Sequence, residues 1–309
     1  MNTHHQHKDT ALHTSPVKNK LTGWSIEPSF PDLNKKYGVL IYIEEDGKEN
    51  SIKYEVDVRF IKQTDKMNSI IELEITSDVF INDQLPDLLV DKLSYDVGQV
   101  CYPLQLEIDR QGKYLSVYNS DEIKERWLSS RGHFLEYYKG NDAKRYFELM
   151  DRTMQLKSQI DLSFKDSIFI NSYFGPIYKN YTYDFCCQDQ FIFYQDKTKI
   201  MICAESKLNE YTNEFGSKVI QIEGIEAFPD FVLEEEKNVL IGLDTHYWAN
   251  YILDGDTNCI KEIHCKWEML RIKKKIDVII YEVRDYAKNK RVTIQENRKK
   301  GLFSFLWEK

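Results

Sequence analysis

The stretch Ser51-Ile-Lys-Tyr-Glu-Val-Asp-Val-Arg-Phe60 decides the fold class. Ile52, Tyr54, Val56, Val58 and Phe60 fall on one side of an extended chain, and Lys53, Glu55, Asp57 and Arg59 fall on the other. That period of two belongs to a strand with one buried and one wet face. Residues 38–43 form an apolar run just upstream, and Glu45-Asp-Gly-Lys48 joins the two. Asp-Gly tolerates the positive φ of a tight turn, so the pair reads as a hairpin. The alternation recurs in Ile71, Leu73 and Ile75 against Glu72 and Glu74, and in Leu104, Leu106 and Ile108 against Gln105, Glu107 and Asp109. Between these last two runs, Pro86 to Leu93 reads as a short helix.

Past the turn at 110–113 and a strand at 114–118, the apolar period lengthens from two to about 3.6. Asn119 or Ser120 is expected to cap a helix carrying Ile123 and Trp127, with Gly132 just past its end. A longer helix is predicted over 141–160, where Ala143, Phe147, Met150 and Met154 make an apolar stripe. A third, short helix is expected to end at Gly175-Pro176. Strand patterns then return at 191–194, 199–204, 219–225, 239–243, 247–253, 259–270 and 276–283. Strands, then helices, then strands on hairpin-length links predict an α+β fold. It is mainly an antiparallel, curved, half-barrel-like β-sheet with a central block of two to three helices packed against it. The expected organisation is a polar leader and irregular lead-in over 1–34, with Trp24 and Phe30 pinning it. A single strand-rich body follows over 35–290, its helical block at about 120–175, and then a basic and aromatic C-terminal segment over 291–309.

The stretch Pro103-Leu-Gln-Leu-Glu-Ile-Asp-Arg-Gln-Gly112, continuing through Tyr118-Asn-Ser-Asp-Glu-Ile-Lys-Glu-Arg-Trp127, is similar to segments of uncharacterised bacterial strand-rich proteins. The overall order of elements resembles curved half-barrels that hold helices or lipid in their concavity, as in lipoprotein carriers. Those carriers are exported, and no residue role is taken over from them.

The whole chain of 309 residues carries 42 Lys+Arg against 50 Asp+Glu, a net charge of −8, with 42% hydrophobic and 30% charged residues. Such a chain buries a core and keeps a solvated surface. An acidic body lacks the global field that draws proteins onto nucleic acid, so no nucleic-acid partner is expected for it. The N-terminal residues show no apolar run of a secretory signal, and no stretch reaches the roughly 18 apolar residues of a membrane span. The reading is therefore cytoplasmic. Six cysteines form no CxxC pair and are expected to be reduced. The histidines clustered in the first 13 residues read as part of a polar leader.

GxGxxG, GxxxxGK[ST], HExxH and GxSxG are all missing from the sequence. The one enzyme-like string is Glu205-Ser-Lys207 after Asp196 or Asp189. It matches a metal-dependent nuclease pattern of an acid followed by ExK, in which carboxylates hold Mg²⁺ and the lysine steadies the attacking water. Against it stands a strand leaving the core into a polar turn. Asp254-Gly-Asp256-Thr-Asn258 starts like a calcium loop but breaks off at Cys259, so a hairpin turn is expected. Cys259, His264 and Cys265 do not converge, since alternation sends His264 to the opposite face from Cys265. No metal and no cofactor is called for, and His133 and His246 show no arrangement of a general base.

Charge is most uneven at the C-terminus. Residues 271–300 hold eleven Lys/Arg against four acids, net +7, which leaves −15 for the rest. Arg298, Lys299 and Lys300 precede Leu302, Phe303, Phe305, Leu306 and Trp307, a pattern that reads either as a partner-docking peptide or as a tail closing the core. The leading expectation is a non-catalytic cytosolic binding or adaptor protein, a component of a larger bacterial assembly, that holds a protein partner through sheet surface or this segment. One alternative is a carrier of an apolar small molecule or lipid in a cleft between sheet and helices. A second is the nuclease using Asp196, Glu205 and Lys207.

Overall fold

A computed structural model describes residues 19–195, 198–227 and 242–283. Among them, twelve strands form one open antiparallel sheet. The N-terminal meander is β1 (Asn34–Glu45), β2 (Lys48–Gln63) and β3 (Ser69–Ile75), with the two-residue β4 (Phe80–Ile81) on β2. Helix α1 (Leu89–Gln99) leads to β5 (Leu104–Ile108) and β6 (Tyr114–Val117). Helices α2 (Ser120–Tyr137), α3 (Asn141–Gln155), α4 (Lys157–Lys165) and α5 (Ile168–Tyr173) follow. The second meander is β7 (Cys186–Gln195), β8 (Thr198–Leu208), β9 (Lys218–Glu226), β10 (Thr245–Leu253), β11 (Ile260–Met269) and β12 (Lys274–Glu282).

The strand order β6-β5-β3-β2-β1-β12-β11-β10-β9-β8-β7 explains why the chain interrupts its strands with helices. β6 and β7 are the two outer edges, so the segment joining them must cross one whole face of the sheet, and α2 to α5 are that segment. The halves join where β1 pairs with β12, in register from Tyr37 opposite Glu282 to Glu45 opposite Lys274. The first hairpin turns as its sequence requires, with Asp46 at φ 49° and Gly47 at φ 75°.

The helix-covered face is the core. Val56 and Val58, Ile220 and Ile222, Tyr247, Ala249 and Tyr251, Ile263, Cys265 and Trp267, and Ile276, Val278 and Ile280 all point into it and are buried. Trp127 stacks on Phe134 and meets Phe147 at a tilt where α2 and α3 pack, and its Nε1 donates to Asp151, which also holds Arg131. Trp267 stacks on Phe193 at 4.8 Å between centroids. Asp161 on α4 accepts from the backbone N–H of Val117, fixing the helices to β6.

Several expectations are corrected. The helical block has four helices rather than two to three, because Leu156, at φ −126° and ψ 132°, is extended and splits the 141–160 span into α3 and α4. Helix α2 runs past Gly132 to Tyr137, and a Cβ at Gly132 would meet nothing within 4 Å, so its only cost there is the ~1 kcal/mol of glycine's helix propensity. Asn119 does occupy the N-cap of α2, its carbonyl accepting from Ile123 N–H, but its side chain makes no capping bond and instead ties β5, accepting from Gln105 N–H and donating to the Pro103 carbonyl. The short helix expected over 86–93 begins only at Leu89. Trp24 does not pin the lead-in, being 47% exposed; Ile26 and Leu33 are the buried anchors, while Phe30 does pack on Tyr178. Of the strand expected over 239–243, residues 239–241 lie outside the described residues and Gly242 and Leu243 are irregular.

Candidate functional site

The opposite face of the second meander carries the largest concentration of chemistry. Because alternation fixes which side chains point away from the helices, the strand register assembles them into rows. One row runs Asp277, Lys266, Trp248, Glu223, Glu205, Gln188 from β12 to β7. The next runs Lys275, Glu268, His246, Ile225, Cys203, Gln190. A third runs Ile279, His264, Asn250, Gln221, Lys207, Cys186. Over these rows lies a trough of about 1120 Å³, lined by outward residues of β7 to β11.

The trough has a fixed wall and an open floor. At the wall, His264 Nε2 lies 2.8 Å from Asp277 Oδ1, Lys266 Nζ lies 3.2 Å from Asp277 Oδ2, and the Trp248 ring meets His264 edge-on at 5.1 Å. Partial burial works against a charge on Asp277, but the His264 and Lys266 contacts outweigh it and hold its carboxyl below the usual range. On the floor, Glu205 and Glu223 stand directly opposite each other, an arrangement of like charges that destabilises a sheet. Gln188 donates weakly to Glu205 at 3.4 Å, and among the described residues neither glutamate is in an ion pair.

Apolar groups cross the same floor diagonally. Ile192 sits opposite Met201, Met201 is two residues from Cys203, Cys203 is opposite Ile225, and Trp248 is diagonal to Ile225. Ile225 is 58% exposed, with Met201 and Ile192 also exposed. Scattered exposed aliphatics are ordinary, but neighbours aligned across four strands form a stripe.

The predicted site residues are only partly brought together. Glu205 and Lys207 do share the outward face. Asp189 belongs to the inward-facing set of β7 and pairs with Lys179 at 2.7 Å, while it still borders the trough that Glu205 and Lys207 line. Asp196 lies outside the described residues, as do Arg298, Lys299, Lys300, Leu302, Phe303, Phe305, Leu306 and Trp307. Among the described residues no three His, Cys, Asp or Glu side chains gather as a metal site. Cys265 is fully buried, its thiol pushed up to about 12 by burial, while His264 faces outward. Asp254 closes a turn by accepting from the N–H groups of Asp256 and Thr257. Glu223, Ile225 and Trp248 are passed over in the sequence, and His246 is weighed there only as a general base. Alternation shows each of them outward, but only the order of β8, β9 and β10 makes them neighbours.

Where the lead-in and α5 meet β11, a cavity bounded by Phe30, Tyr173, Tyr178 and Ile260 holds about 10 Å³. No described helix is long and apolar enough to cross a membrane.

No protein-family model matches the sequence, and no curated protein matches it. Among solved structures the chain is similar to one described as lipid–protein interactions in lipovitellin, at 8% identity and a TM-score of 0.45. That match covers 85% of this chain and 25% of that one, so the chain spans about a quarter of the lipovitellin chain's length. It is also similar to the hypothetical lipoprotein YmcC from Escherichia coli, at 8% identity, a TM-score of 0.27 and 83% and 88% coverage. A DUF1329 family protein from Desulfovibrio piger gives 10% identity, a TM-score of 0.19 and 80% and 83% coverage. None of the three is close enough to pass a residue's role to this chain.

Proposed function

We propose that this is a binding protein rather than an enzyme, and that it carries a lipid or comparable amphiphile across the outer face of its open sheet. The observation that carries this reading is that Ile225 and Trp248 stand in a trough whose other outward groups are amides, carboxylates, lysines, His246 and Cys203, with the exposed Ile192 and Met201 continuing the apolar diagonal beyond it. A wholly polar face would suit water, and a wholly apolar one would be covered by more chain. A mixed face accepts a ligand with an apolar body and a polar end. This places the carrier reading on the outer face, where the trough lies, rather than in a cleft between sheet and helices. An adaptor role through the C-terminal segment would rest on residues outside those described.

Native mass spectrometry and solvent extraction of the purified protein test the reading. The expected result is a co-purifying amphiphile, and binding of a fluorescent long-chain fatty acid that Ile225→Asp weakens without lowering Tm. A clean apo mass together with no binding of that probe by the folded protein would overturn it.

A further inference from the structure

We infer that the trough on β7 to β11 is the seat of the chain's own C-terminal segment, residues 298–307. The inference rests on the reading above only in taking the trough as a binding surface; it does not depend on which ligand the trough holds.

The two surfaces complement each other in order and in kind. Glu205 and Glu223 face each other without a described counter-ion, and Arg298, Lys299 and Lys300 are three consecutive cations. A cation between opposed carboxylates removes the like-charge penalty of the pair. Beyond Gly301, Phe303, Phe305 and Trp307 alternate, so an extended segment presents all three rings on one side, the side that would cover the Ile225–Trp248 diagonal. Strand addition and apolar docking use this alternation for recognition.

Reach is sufficient. Strand β12 ends at Glu282, and Asp277, five residues back along it, opens the row containing Trp248 and Glu223. Returning along the strand costs about 16 Å, and crossing from β12 to β9 about 14 Å. Residues 284–297 extend to roughly 46 Å, so they span the path with slack.

The test uses the full-length chain freed of lipid, with Phe303→Cys and mild oxidant, because position 303 is on the sheet-facing side of the seated segment and Cys203 lies in the trough on the outward face. The expected product is a monomer with a disulfide between Cys203 and position 303, favoured over Cys186 and Cys187 and suppressed by high salt. A second readout needs no new thiol. Alkylation of Cys203 is expected to accelerate about tenfold when Arg298, Lys299 and Lys300 are all changed to Glu, as local opening becomes more populated. A bond found only in covalent dimers, bonding spread evenly over the three cysteines, or alkylation indifferent to the triple change would each overturn the seating. A clean apo mass of the protein as purified and no binding of the fatty-acid probe, with the disulfide present, would reject the lipid reading and keep this one, and the converse separates them the other way.

Discussion

The hydroxyl of Tyr173, on α5, donates to the hydroxyl of Tyr37, on β1, across 3.1 Å, and Tyr37 in turn donates to the carbonyl of Ile260 at 2.6 Å. The two rings meet edge-to-face at 5.2 Å. This short chain couples the last helix of the block to the strand pair where the halves of the sheet join. Burial, reinforced or opposed by each other's hydroxyl, raises both phenols well above their ordinary value, so both stay neutral donors throughout the normal range.

Removing the two hydroxyls is therefore expected to be unequal. Tyr173→Phe deletes one donor and leaves Tyr37 bonded to Ile260, at a cost of about 1 kcal/mol. Tyr37→Phe strands both the Ile260 carbonyl and the Tyr173 hydroxyl, at about 2–3 kcal/mol. The double variant should cost less than the sum, because the second loss is already counted in the first. Urea unfolding of the three variants measures this, and equal costs for the single changes would contradict the arrangement.

Gly175 supplies a second prediction from close approach. A Cβ there would lie 2.3 Å from Tyr251 Oη, which donates to the Ser172 carbonyl at 2.8 Å. Gly175→Ala is expected to lower stability by about 1–3 kcal/mol through overpacking. Adding Tyr251→Phe removes the clashing oxygen, so the double variant should be more stable than Gly175→Ala alone even though it forfeits a hydrogen bond. If the second change only adds to the loss, the clash is not with Tyr251.

What the sequence made legible follows from where the interactions lie. The alternation of residues 52–60 and the Asp46-Gly47 turn are local, and both appear as read. So does the opposition of His264 to Cys265, because a strand's period leaves no choice. The pairing of β1 with β12 joins residues more than two hundred apart, and no local pattern encodes it. Leu156 also escaped, since Gln155-Leu-Lys157 holds no Gly or Pro to mark an extended backbone. The trough was lost for the same reason as the strand order. Alternation alone puts Glu205 and Lys207 on one face, but Glu223 and Trp248 come beside them only through the register of β8, β9 and β10.

The turn at Asp254 gives a prediction whose magnitude depends on pH. Its carboxylate accepts from the N–H of Thr257 at 3.0 Å and of Asp256 at 3.1 Å, and faces Lys261 Nζ at 3.0 Å. The Thr257 N–H is the leading cause of a carboxyl held far below its usual value; burial opposes this, and Lys261 and the Asp256 N–H add to it. A folded value below the unfolded one of about 3.9 means the carboxylate adds stability that is fully present above that pH. The contribution fades as pH falls toward the folded value. Asp254→Asn keeps an oxygen acceptor and removes only the charge. It should therefore cost about 1 kcal/mol at neutral pH, the difference between a charged and a neutral acceptor. The gap between the two proteins should shrink as pH drops below about 4, since the wild-type chain then approaches the neutral state the variant already has. Thermal melts of both chains at neutral pH and near pH 2.5, at one ionic strength, measure the gap. A difference that stays constant across that range would show that the turn depends on the shape of the side chain and not on its charge.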